Sequence, residues 1–490
     1  MPRGGTSPES TVLLQGGTVV TFNPESSAVE VQRDTSILIR NDRIVSIGKD
    51  FGPKDLADAE VVDVKGKILT PGFVDTHRHG WQTAYRTTVS NTTLAHYFAR
   101  NSEFSPITYN YTAEDVYIGQ LTGLYEALNA GVTSSLDHAQ HTWSQDTSTA
   151  GLQASVDSGA RVFWAYTIHD VGDRYPIKDQ LKDFRRFAQD KDGVWTGTPV
   201  NVALGYDMWS DADPRDVEKV VKLAKDLDVS AITTHYVGHV FGIANSVELL
   251  EKYGALDTSI PVVFSHATAL TPTEATLLRK YNQFISITPE SEHHYGHDLP
   301  HSHLIMDQAS LGVDTHSTFS TDLITQARLW LQTTRLRLYR QVLGDYQVPP
   351  NNPMSVNQAF IMATRNGAMA LRREDLGVLT PGAKADIVAF RGDSPGMLGW
   401  EDPVAAVILH SHVGDVEHVM VDGKFVKRDG KLVGVDWDTE IKERFAASAK
   451  RIQGALNDIV TPPLEGEFGT GAPYALADTV DVLRGPANGY

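Results

Sequence analysis

Leu69-Thr-Pro-Gly-Phe-Val-Asp-Thr-His-Arg-His79 is the stretch that decides the fold. Pro71-Gly72 opens it, an apolar run follows, and two histidines one residue apart close it. Alternate residues of a strand share a face, so His77 and His79 project to one side while Arg78 projects to the other. Two neutral imidazoles converging on one point are half of a transition-metal site. In a chain with 18 histidines the pair alone decides little, because two buried rings satisfied by hydrogen bonds give the same pattern. Its weight comes from what lies on either side.

Downstream, roughly 300 residues alternate apolar strands with amphipathic helices, the size and rhythm of a (β/α)₈ TIM barrel. Strands are expected to end near His79, His138, His169, Asp207, His235, His266, Pro289 and Asp314. Helices are expected at Asp115–Ala130, Pro214–Leu227, Thr271–Tyr281 and Leu323–Leu343. Nearly every strand ends on a metal-competent or acid-base residue, and in a barrel those ends meet at the C-terminal mouth. Segments 80–112 and 290–303 are long enough to act as lids over it.

Upstream, residues 11–70 alternate short β-rich runs with turn signals. The pattern returns in Asp386–Phe390, Val404–Ile408, Val416–Val421 and Lys424–Val426, with Asp422-Gly423 as a hairpin turn. The expectation is one small β-sandwich built from both ends of the chain, residues 1–70 and 375–437, around a barrel at 71–374. A helix and a Gly- and Pro-bearing tail at 438–490 follow, the tail being either mobile or wrapped on a neighbouring subunit.

Composition narrows the chemistry. Without cysteine, a metal must sit on His, Asp or Glu. A formal charge of −18 with no basic run disfavours nucleic acid and anionic lipid as partners. No apolar stretch reaches membrane-spanning length, and the N-terminal residues lack a secretory core, so a cytoplasmic protein acting on small molecules is expected.

Several separate segments carry a family resemblance. They are Ile68-Leu-Thr-Pro-Gly-Phe-Val-Asp-Thr-His-Arg-His79, Ala130-Gly-Val-Thr-Ser-Ser-Leu-Asp-His138, Ala363-Thr-Arg-Asn-Gly-Ala-Met-Ala-Leu371, Leu376-Gly-Val-Leu-Thr-Pro-Gly-Ala-Lys-Ala-Asp-Ile-Val388 and Val416-Glu-His-Val-Met-Val-Asp-Gly423. In that order the chain resembles the amidohydrolase superfamily, in its mononuclear-metal group with cytosine and guanine deaminases and triazine chlorohydrolases. The resemblance implies one divalent ion per subunit, held by His77, His79, His235 and a strand 8 aspartate. Zinc is the first choice, with iron, manganese or nickel possible on the same ligand types. Both Asp314 and Asp322 are eligible. Ser310-Leu-Gly-Val-Asp314 matches the family's pattern, while Asp322 precedes an apolar-periodic helix and suits a capping role, so Asp314 is chosen. Strand 4, read as Val200–Met208, lacks the lysine that bridges two metals in other branches.

The resemblance further implies that a water activated by the ion attacks an sp² carbon of a small cyclic or aromatic substrate. Asp314 would take the water's proton and His266 would stabilise developing charge. One departure is plain: where the family's aminohydrolases carry His-x-x-Glu on strand 5, this chain reads His235-Tyr-Val-Gly238. Glycine cannot move a proton, so ring deamination needs a replacement, for which His239, Glu290, Glu292 and His316 are candidates; alternatively Gly238 makes room for a bulkier substrate. Trp81, His138, Tyr236, His239, Glu290 and His316 are the expected substrate contacts. Tyr85, Trp143, Trp209 and Tyr295 are further aromatics near the mouth, and Arg86 has the donors to hold a carboxylate. The histidines from His293 to His303 raise the thought of a second metal site. The expected activity is hydrolysis of a C–N bond other than a peptide bond. Lyase, decarboxylase or halide-displacing chemistry at the same ion is the alternative, and a catalytically silent binding protein is the alternative of another class. A homodimer or larger homo-oligomer is expected.

Overall fold

The computed structural model describes residues 10–52, 56, 58–190, 192–297 and 304–478. Eight parallel strands make the barrel sheet, each hydrogen-bonded to the next in sequence order. Barrel strands 1 to 8 are Phe73–Arg78, Val132–Ala139, Arg161–Ile168, Asn201–Tyr206, Ile232–Tyr236, Val262–His266, Phe284–Ile287 and Ala309–Leu311. Strand 8 meets strand 1 through a bridge between Arg78 and Asp314. At this seam the Asp314 amide donates to the His77 carbonyl at 2.8 Å and the His79 amide to the Asp314 carbonyl at 3.2 Å. Ring closure therefore seats Asp314 beside both histidines.

Helices cover the outer face of the barrel, which is why its strands read as apolar runs rather than alternating ones. Local chemistry starts them where the sequence predicts. Thr112 and Asp115 form a capping box on Ala113–Asn129, and Thr271 and Glu274 do the same on Pro272–Tyr281. Asp322 accepts the Ile324 amide at 3.0 Å and caps Leu323–Gly344.

Strands from both ends of the chain join in a separate nine-stranded mixed sheet. Its long strand Thr11–Asn23 pairs antiparallel with Ala28–Arg40. Before Gly16 it pairs parallel with Glu60–Asp63, and after it with Ile68–Pro71. Gly16 sits at φ +80, where a Cβ is disfavoured, and marks the place at which the strand changes partner. Ile387–Phe390 then pairs antiparallel with Ile68–Pro71, and that contact ties the two ends together. Asp422 and Gly423, both at positive φ, make the expected hairpin turn. The expected barrel with an appended small β domain is borne out.

One expected strand is helical instead. Pro403–Ala405 is α-helix and Ala406–His410 continues it as π-helix. Asp402 accepts from the Val404 and Ala405 amides, Pro403 occupies the first helical turn, and Val404, Ala406, Val407 and Ile408 pack into the barrel's core cluster. A five-residue apolar run carries no period that separates the two outcomes; the Asp-Pro start does.

A buried ion network fastens the small sheet to the barrel. Arg161, on barrel strand 3, donates twice to Asp386 at 3.0 Å and once to Asp422 at 2.6 Å, with Lys384 Nζ 2.9 Å from Asp422. The Lys384-Ala-Asp386 and Asp422-Gly423 motifs are thus structural. The C-terminal helix Lys442–Asp458 buries Ile452 and Leu456 against Trp81, Tyr85, Tyr111 and Trp143. The tail packs on its own chain: Phe468 contacts the rings of Phe98 and Phe241, and Thr470 donates to the Val240 carbonyl at 2.6 Å. Among the described residues no helix is long and apolar enough to cross a membrane.

Candidate metal centre and active site

The strand ends bring ring nitrogens and carboxylates together at the mouth. Donor atoms of His77, His235, His266 and Asp314 all lie within 4.8 Å of one another, a group that can hold a metal ion. Asp314 Oδ1 is 3.3 Å from His77 Nε2 and 3.2 Å from His79 Nε2. His79 Nε2 is in turn 3.2 Å from His235 Nε2.

The partners of the opposite ring nitrogens fix what these atoms are. His79 Nδ1 donates to the His138 carbonyl at 3.0 Å, an oxygen that can only accept. His235 Nδ1 donates to Asp207 Oδ2 at 2.8 Å, and Asp207 stays ionised: burial pushes its carboxyl up, but the neighbouring His235 and His138 hold it well below the usual range. In their neutral forms both Nε2 atoms therefore carry bare lone pairs, facing each other at 3.2 Å. His77 Nε2 is buried without a hydrogen-bond donor or acceptor of its own, and burial holds that ring neutral. Facing lone pairs repel unless positive charge lies between them. His235 expresses the same demand: burial opposes its proton, yet Asp207 and Asp314 raise it to about 9.

Around this cluster the backbone is strained. His266 sits at φ +70 and Asp314 at φ +59, left-handed positions that cost roughly 1–3 kcal/mol each and that persist where surrounding structure imposes them. His266 Nδ1 is 2.9 Å from Thr288 Oγ1 and 3.4 Å from Glu292 Oε1. Burial lowers His266 to about 4 and raises Glu292 to about 8, so both are neutral near pH 7.

A cavity of about 240 Å³ opens over the cluster, reaching His79, His235, His266 and Asp314. Leu94, Tyr97, Phe98 and Phe104 from the segment after strand 1, with Met208, Val237, Ile243 and Tyr295, make it largely apolar, and among the described residues no lysine or arginine lines it. None of the six expected substrate contacts lines it either. Trp81 is fully buried in the aromatic cluster under the C-terminal helix. His138 lies behind Asp207, its Nε2 3.2 Å from Oδ2. The Tyr236 hydroxyl donates to Glu274 at 3.1 Å outside the barrel. His239 is exposed, Glu290 accepts from Gln326 at 2.6 Å, and His316 is bound to Thr83 Oγ1 at 2.7 Å. Arg86 pairs with Glu126 rather than facing a ligand. Of the aromatics near the mouth only Tyr295 reaches the cavity. Period and position along a strand say which way a side chain points, but not how far the next loop intrudes.

The histidine-rich segment divides in the same way. His293 turns back to the Pro289 carbonyl and His294 to that of Thr92, while His297 lines the cavity, its ring 4.8 Å from that of His266. His301 and His303 lie outside the described residues. Lining residues that the sequence reading passed over are Glu103, Gln140, Phe98, Phe104 and Ile243. Asp207, His169 and His297 were visible only as strand ends or loop residues.

Gly238 is explained by its backbone. It sits at φ +70 and ψ −157, a region open essentially to glycine alone, and a Cβ there would lie 2.4 Å from Ala269 Cβ. The missing strand 5 carboxylate is therefore a property of the chain path, not of one side chain.

The profile of the Amidohydrolase family matches residues 68–426. The chain belongs to the amidohydrolase family. Relatives cover nearly their whole length. A 5'-deoxyadenosine deaminase from Methanobrevibacter smithii is 27% identical over 434 residues, 86% of this chain and 94% of that protein. A 5-methylthioadenosine/S-adenosylhomocysteine deaminase from Pelotomaculum thermopropionicum is 25% identical, across 90% and 97%. Among solved structures, a zinc-bound adenosine deaminase from Xanthomonas campestris superposes with a TM-score of 0.75 at 18% identity, covering 92% of this chain and 99% of that one. A zinc-bound atrazine chlorohydrolase from Arthrobacter aurescens superposes at 0.72 with 22% identity, covering 90% and 100%. The expected class, a hydrolase of non-peptide carbon–nitrogen bonds in small cyclic substrates, is borne out at that level.

Proposed function

We propose that this protein is a mononuclear metal-dependent aminohydrolase acting on a planar, uncharged or cationic heterocyclic amine, with His77, His79, His235 and Asp314 as ligands. The facing Nε2 atoms of His79 and His235 carry the reading. Their 3.2 Å separation, with 3.2 and 3.3 Å from Asp314 to the His79 and His77 nitrogens, is close to the roughly 3.3 Å expected between ligands each about 2.0–2.1 Å from a common tetrahedral centre. Zinc suits that donor set, and the deaminase relatives favour a purine-like ring. A divalent ion there supplies Lewis acidity and brings water toward ionisation at neutral pH.

The chain's own residues do the rest. Asp207 orients the His235 ring and the His138 carbonyl that of His79, so both rings aim Nε2 at one point. Asp314 accepts the attacking water's proton; Ser291, whose hydroxyl donates to its other oxygen, holds the carboxylate in place. His266, neutral at working pH, hydrogen-bonds the attacked group through Nε2 and stabilises charge that develops there. The apolar wall excludes bulk water and selects flat, uncharged surfaces. Among the described residues no lysine or arginine lines the cavity, which argues against phosphorylated substrates.

Gly238 favours a second reading, displacement of a weakly basic leaving group such as halide, which needs no proton. Metal analysis, chelation and reconstitution test the centre; turnover of amino- and chloro-substituted purines, pyrimidines and triazines tests the reaction, with oxygen-18 water reporting hydrolysis. Metal-free protein with full activity overturns the proposal. A homodimer or larger homo-oligomer in the cytoplasm is proposed alongside it, to be checked by light scattering and fractionation.

A further inference from the structure

We propose that Glu103, from the segment that follows barrel strand 1, delivers the proton to the leaving nitrogen, a task for which strand 5 has no carboxylate. The inference rests on the aminohydrolase reading above. Among the described residues four carboxylates line the cavity: Glu103, Asp207, Asp211 and Asp314. Asp207 has both oxygens engaged, by His138, His235 and Thr234. Asp314 has one oxygen between His77 and His79 and the other on Ser291. Asp211 is exposed at the rim. Glu292 does not line the cavity and backs His266.

Glu103 is different. Its Oε1 accepts from Gln140 Nε2 at 2.9 Å, and its backbone carbonyl accepts from Trp143 Nε1 at 3.1 Å. Two hydrogen bonds from the loop after strand 2 thus pin a residue of the segment after strand 1 that lines the cavity. Gln140 lines the cavity too, so the clamp is part of the wall. The cavity, about 240 Å³, is smaller than the roughly 300–1,000 Å³ typical of drug-sized ligands, and Glu103 and Asp314 both line it. Burial raises the Glu103 carboxyl, the direction an acid needs to hold its proton nearer neutrality.

The step balances. Water's oxygen bonds to the ring carbon as Asp314 takes one of its protons. Protonated Glu103 gives its proton to the amine nitrogen as the C–N bond breaks, its electron pair leaving with nitrogen as ammonia. The proton on Asp314 then returns Glu103 to its acid form, and water's second proton stays on the product.

The test is Glu103→Gln, isosteric and still able to pair with Gln140, in metal-reconstituted protein, assayed on amino- and chloro-substituted versions of the same ring. Expected is a loss of about 10²–10⁴-fold in kcat on the amine with KM within about threefold, less than about tenfold loss on the chloride, and unchanged metal content. Glu103→Asp recovers part of the amine activity. Equal loss on both leaving groups, or a change confined to KM, overturns the proposal and leaves Glu103 a substrate contact. Wild-type protein that holds metal but turns over neither series overturns the aminohydrolase reading itself, and the proposal with it.

Discussion

The strand ends and the cavity wall are built by opposite means. His77, His79, His235, His266 and Asp314 stand at the ends of strands 1, 5, 6 and 8 of one ring, where backbone pairing such as the Arg78–Asp314 bridge sets their spacing. Leu94, Phe98, Glu103 and Phe104 stand on one long segment, held by borrowed contacts: Gln140 and Trp143 on Glu103, and Phe468 of the tail on Phe98. The ring is set by backbone pairing, the wall by side-chain contacts between distant segments. Substitutions at the two places should therefore fail in different ways.

The largest effect is expected from His79→Ala or His235→Ala. Removing one of the facing nitrogens should lower metal affinity by more than about 100-fold and abolish turnover, checked by metal content after dialysis. Asp207→Asn comes next. It loosens the His235 tautomer without removing a ligand and should cost about 10–100-fold in metal affinity. If it costs nothing, the ring is less dependent on its supporting hydrogen bonds than described.

A third substitution probes what holds the ring against the small sheet. Arg161→Met leaves buried Asp386 without its partner and should destabilise by about 3–5 kcal/mol in denaturant unfolding, while folded protein keeps its metal. The same network gives a pH dependence. Burial raises Asp422, but Arg161 and Lys384 outweigh it and hold its carboxyl below 3.8. Its stabilising contribution is thus complete above that unfolded-state value and is lost as pH falls through the lower folded value. Thermal stability should decline below about pH 4, and less steeply in Arg161→Met.

The smallest effect belongs to the wall. Phe98→Ala or Phe468→Ala should raise KM about five- to tenfold, the worth of a partly buried ring, with kcat and metal content nearly unchanged. Loss of metal from either variant would break the contrast between ring and wall.

Legibility followed the same division. The barrel strands are readable because nearly every one ends on a polar residue after an apolar run, and Asp314 is told from Asp322 because one closes a strand pattern and the other begins a helix. Val404–Ile408 was misread because five apolar residues have no distinguishing period, and only the capping of Asp402-Pro403 settles them as helix. The cavity contacts were largely illegible. Trp81 looks like a mouth aromatic until the C-terminal helix, some 370 residues later, is found packed over it. Glu103 has no motif at all; it acquires a position only when Gln140 and Trp143 reach it.

The barrel, the sheet drawn from both ends and the residue types at the strand mouths follow from the order of residues, because strand periodicity and local capping are short-range properties. The tertiary structure alone decided which side chains face the cavity, why position 238 admits only glycine and where a substitute carboxylate stands. Those depend on how distant segments close over one another, and no short window of residues contains that information.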